Sequence, residues 1–168
     1  MNNKNKKSLR FLLIFLGTII LYYILVTILS ESFFDPYIHF TSTLSALLLG
    51  LFYDGMVANQ AVIGNGVNHI ILSFGCEGTE PLVVFFAGVI AFQFTWKKKM
   101  IGLIYGLIIL YLLNILRVMI LYGISFNFPE SFELFHVTIF PILFILIALL
   151  LWGYWLNWAN RDSVKVES

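Results

Sequence analysis

Three residues carry side chains suited to covalent chemistry at a carbonyl: Cys76, Arg117 and His136. A thiolate nucleophile needs a base nearby, and the oxyanion it creates needs a positive donor. Histidine titrates near neutral pH and serves as that base and as the acid that follows. Cys76 is the one cysteine in the chain, so an internal disulfide and a cysteine metal cage are excluded. It stands in the run Ser73-Phe74-Gly75-Cys76-Glu77-Gly78, directly before a helix expected to begin at Thr79-Glu80-Pro81. Thr79 can cap such a helix, and Pro81 is tolerated in its first turn. A helix N-terminus favours thiolate over thiol; the carboxylates of Glu77 and Glu80 act against it. The competing reading is an inert buried thiol.

Arg117 lies in an apolar stretch five residues before Tyr122. That spacing puts it about 7–8 Å below the end of its helix. An arginine at mid-membrane costs around 2.5–3.5 kcal/mol on insertion scales, less near an interface. Either it snorkels to the headgroups or it serves a site. Asn114, three residues earlier, shares its helix face, and a paired polar face at that depth argues for a site. His136 falls in the first turns of the last apolar stretch, with His39 and His69 elsewhere in the chain. A locally hydrogen-bonded interfacial histidine is its alternative.

The elements that must position these side chains are membrane spans. Of 168 residues, 60% are hydrophobic and only 11% charged, against about 25% charged in soluble domains. The net charge of +1 excludes the basic footprint of a nucleic-acid binder. The pattern predicts an all-α membrane bundle in a single domain over 1–168, with spans near 11–29, 80–96, 100–122 and 134–158. A signal peptide competes for the first run, but that run is long for an h-region and no A-x-A site follows it. Residues 39–53 are apolar, short for a span and interrupted by Thr41, Ser42, Thr43 and Ser45; they read as an interfacial or re-entrant helix. Asn65-Gly66 between β-branched flanks predicts a small hairpin over about 57–72. Trp152, Trp155 and Trp158 read as an interfacial aromatic cluster.

Basic residues mark the cytoplasmic side. They occupy the N-terminus, a predicted Lys97–Lys99 loop and the C-terminal tail. Four spans place all three inside. Segment 30–79 and the stretch from Gly123 to Glu133 then lie outside, and neither holds Lys or Arg. Cys76, Arg117 and His136 come from separate elements, yet this topology brings all three toward the outer face. No H-E-x-x-H, G-x-S-x-G or P-loop pattern offers other chemistry.

In these residues the chain resembles the exosortase/archaeosortase family of membrane cysteine transpeptidases. The resemblance rests on Cys76-Glu77-Gly78 leading into a span, Asn114-Ile115-Leu116-Arg117 in the next, His136 opening the last, and the Gly64-Asn65-Gly66 turn. It covers about Val57 to Leu151. Two positions depart from the family pattern: Phe140, where glycine is common, and Glu77, where a small residue is common. The resemblance implies that Cys76 attacks the scissile carbonyl, Arg117 stabilises the oxyanion and His136 moves protons. Asn114 would orient Arg117 or bind substrate, with Glu77 and Glu80 in support. It implies exported protein substrates bearing a C-terminal hydrophobic helix and basic end, cleaved at the outer face of the cell membrane, with no metal or organic cofactor. Two other classes remain open on the residues alone: a non-catalytic subunit of a secretion or polysaccharide-export system, and a small lipid-binding transporter.

Overall fold

The computed structural model describes residues 3–29, 33–72 and 78–164. Leu-, Ile- and Phe-rich runs without internal proline form α1 (Asn3–Ile28) and α4 (Trp96–Asn127). Shorter helices are α2 (Asp35–Leu49) and α3 (Thr79–Ala91). The chain closes with a 3-10 turn, a π-helical stretch over Leu134–Ile139, and α5 (Phe140–Val164). Among the described residues, three helical segments are long and apolar enough to cross a membrane: Asn5–Ile28, Trp96–Asn127 and Pro129–Arg161. The helix within the expected span over 80–96 is α3, 13 residues and about 20 Å long at 1.5 Å per residue. Lys97–Lys99 form no loop; they are the first turn of α4, and Phe92–Thr95 make the connection.

The chain divides into two compact units. The first comprises Met1–Thr27, Glu80–Leu110 and Phe144–Ser168. Its core gathers Leu82, Phe85, Val89, Leu110, Ala148, Trp155 and Ala159. Trp155 is an inward residue, 3% exposed, and its indole donates to the Lys98 carbonyl at 3.1 Å. The Trp152 ring lies over Gly88, where a Cβ would come within 2.7 Å of the indole nitrogen. These two tryptophans therefore pack against the unit's core. Lys98 donates to the Ala159 carbonyl at 2.7 Å, and Lys99 to that of Ile90 at 2.6 Å. The second bond occupies a carbonyl in the last turn of α3, where a cation is favourable.

The second unit comprises Ile28–Thr79 and Tyr111–Leu143. Within it α2 buries hydroxyl-bearing and apolar side chains on one face. Thr41, Ser42 and Ser45 are fully buried, while Phe40 and Leu47 are 60% and 70% exposed. Ile38, Ala46 and Leu49 are buried beside these hydroxyls. Antiparallel strands β1 (Val57–Asn59), β2 (Val62–Gly64) and β3 (His69–Ile71) form a sheet in that order, one strand more than a hairpin. The Asn65 side chain accepts from the Val67 and Asn68 amides at 3.2 and 3.0 Å, and Gly66 takes φ +84° in the same turn. The Ser42 hydroxyl donates to the Gln60 carbonyl, in the β1–β2 turn. Ile63 is fully buried in a core with Leu49, Val118 and Tyr122.

Candidate functional site

Asn114 and Arg117 share one face of α4, three residues apart. Both are buried, at 1% and 5% exposure. Arg117 is therefore folded into the second unit and does not snorkel to its surface. Burial of a guanidinium is costly unless polar partners and π-faces surround it. The Arg117 Nη2 donates to the His136 carbonyl at 3.4 Å, the long end of the hydrogen-bond range. Its guanidinium carbon stands 5.9 Å from the Phe140 ring centroid, within cation–π range. The phenylalanine that departs from the family pattern is thus a wall of the arginine's pocket.

The local backbone explains why the His136 carbonyl faces a side chain. Residues Leu134–Ile139 are π-helical, and the Phe140 amide bonds to the Phe135 carbonyl, five residues back. In that register the donor to His136 would come from residue 141. Residue 141 is proline, which has no amide hydrogen. π-Helical turns recur at functional sites for this reason: they redirect backbone groups. The His136 ring is half-buried and stacks on Phe132, with centroids 5.4 Å apart and planes 15° apart.

Gly78 closes the other side. It adopts φ +74°, and a Cβ there would lie 2.6 Å from both Cγ and Oδ1 of Asn114. Only glycine fits on both counts. The last residue of the Cys76-Glu77-Gly78 run thus touches the helix face that carries Arg117. Cys76 and Glu77 themselves lie outside the described residues. Glu80 belongs to the first unit, where its carboxylate accepts from the Tyr23 hydroxyl at 3.4 Å.

The second unit therefore brings together Gly78, Asn114, Arg117 and His136. Gly78 was visible in sequence only as part of a motif. Phe132 and Pro141 went unnoticed there, although a proline inside an apolar helix is a known signal for a shifted backbone. The group can place a fixed positive donor beside a reacting carbonyl and an imidazole near it.

A family model described as transmembrane exosortase matches residues 4–156. No curated protein and no solved structure matches the chain.

Proposed function

The chain belongs to the transmembrane exosortase family, and on that premise we propose that it is a membrane cysteine transpeptidase acting on exported proteins. The substrates carry a C-terminal sorting signal with a hydrophobic helix and a basic end. Supporting this reading most directly is the buried Arg117, held against the His136 carbonyl in the unit that also contains Gly78 and Asn114.

The Cys76 thiolate attacks the scissile carbonyl carbon and forms a C–S bond. Negative charge moves to the carbonyl oxygen, where the Arg117 guanidinium stabilises it. The tetrahedral species collapses, the C–N bond breaks, and the leaving amine takes a proton from His136. An acceptor amine, another nucleophile or water then attacks the thioester and gives its proton to His136, and the C–S bond breaks to release Cys76 as the thiolate. Cys76 precedes Gly78 by two positions, a chain reach of at most about 7 Å; contact of Gly78 with Asn114 favours an attack close to Arg117. Asn114 orients the arginine. Glu77 and Glu80 flank the nucleophile in sequence and adjust the charge around it.

The chain is a multi-pass membrane protein. In the proposed topology it crosses the cell membrane four times, α3 being the second crossing, with both termini cytoplasmic and the site on the outer side. Every Lys and Arg except Arg117 falls in the first unit, whereas Glu31, Asp35, Asp54, Glu77, Glu130 and Glu133 fall in the second. The positive-inside rule then assigns the second unit's connecting segments to the outside. Co-expression with a protein bearing such a sorting signal tests the reading: processing should require Cys76 and stop in Cys76→Ala. Equal processing by both would overturn it.

A further inference from the structure

We propose that the first unit holds one anionic phospholipid, its headgroup phosphate between Arg10 and Lys99. Two adjoining cavities, of about 280 and 610 Å³, share the wall Ala91–Phe94. Arg10 and Lys99 line the smaller one and Lys7 the larger; among the described residues no acidic side chain lines either. Lys99 is fixed by its bond to the Ile90 carbonyl. Among the described residues, Arg10 and Lys7 make no hydrogen bond and no ion pair. Arg10 and Lys99 face one cavity and Lys7 the adjoining one; without a counter-charge among the described lining residues they fit an anion, and a guanidinium with an ammonium beside it fits a phosphate in particular.

The wall identifies the rest of the ligand. Phe11 meets Phe92 edge-on at 5.3 Å, Phe92 meets Trp152 edge-on at 5.7 Å, and Phe92 stacks on Phe94 at 5.6 Å. An aromatic surface continuous with a phosphate site suits an acyl chain below a headgroup. The same end of the chain carries the basic residues that mark the cytoplasmic leaflet, where anionic lipids concentrate, and basic pockets between spans on that side bind their headgroups. A free anion would leave the aromatic wall unused.

Native mass spectrometry of the full chain in detergent tests this, with added phosphatidylglycerol, phosphatidylcholine or inorganic phosphate. One phosphatidylglycerol should be retained, phosphatidylcholine should not, and inorganic phosphate should not displace the lipid. Arg10→Gln should weaken retention by about tenfold or more, the loss of a charge-assisted contact. Lys6→Gln makes the same charge change on the same helix, lines neither cavity and should leave retention unchanged. Equal loss in both variants would mean diffuse electrostatics and overturn the site. Equal retention of both lipids, or displacement by inorganic phosphate, would overturn the lipid. Retention needs no peptidase activity, so it stands or falls apart from the transpeptidase reading.

Discussion

Arg117 reaches the backbone carbonyl of His136 at 3.4 Å, and the sequence makes that meeting possible three ways. The π turn shifts the helix register, Pro141 withdraws the amide that this register would supply, and Phe140 places a ring 5.9 Å from the guanidinium carbon. A positive side chain deep in a span is thereby held by protein groups in one orientation. Preorganised charge of this kind acts on a developing oxyanion without reorganising during the reaction.

Pro141→Ala isolates the backbone contribution. Alanine restores an amide that can bond to the His136 carbonyl and compete with Arg117. The helix itself should become no less stable, since an interior proline is removed. Processing should fall by roughly tenfold, the scale of one hydrogen bond to a charged group. Thermal unfolding and processing rate measured together check this: a loss of rate with an unchanged or higher midpoint supports the arrangement, and an unchanged rate sinks it.

Arg117→Lys separates charge from geometry. Lysine keeps the positive charge but loses the planar fork and its π-stacking face. Processing is expected to drop by about 10²–10³, the range for loss of an oxyanion donor, while the protein still inserts and folds. Near-normal processing by the lysine variant would show that a point charge suffices.

Gly78→Ala introduces two distinct faults. The residue holds φ +74°, which costs a side-chain-bearing residue about 1–2 kcal/mol. Its Cβ would also lie 2.6 Å from the Asn114 amide, and overpacking costs about 1–3 kcal/mol. Adding Asn114→Ala should relieve most of the second fault, its own Cβ remaining 3.1 Å away, and leave the first. Unfolding of both single variants and the double variant should therefore show clear non-additivity. Strict additivity would mean the two residues do not touch.

What the sequence disclosed follows from which forces act locally. Long apolar runs announced α1, α4 and α5, because length and hydropathy decide a span. The end of α3 was harder to read, because Phe92 and Phe94 extend the apolar run beyond the helix's last residue. Phe92 and Phe94 stack on each other in the connection, and Lys99 closes the last turn of α3. The polar residues of α2 were visible, but their direction was not. Which way Thr41, Ser42 and Ser45 face depends on partners distant in sequence, such as the Gln60 carbonyl. The pairing of Asn114 with Arg117 could be read from helical spacing. The reach of Arg117 to His136 could not, since it depends on a register shift that only Pro141 hinted at.

Cys76 provides the most decisive test, because it is the one cysteine in the chain. Thiol labelling of the unaltered protein therefore reports on that residue without background substitutions. In the proposed topology a membrane-impermeant maleimide added outside intact cells should label the protein, and Cys76→Ala should abolish the label. The same variant should reduce sorting-signal processing to background, while Cys76→Ser should stay far below wild type, a hydroxyl being a weak nucleophile without thiolate character. Prior labelling should block processing in proportion to the fraction modified. Labelling only after the cytoplasmic side is opened would reverse the topology and remove the outer-face site. Labelling from outside with processing left intact would keep the topology and dismiss Cys76 as the nucleophile.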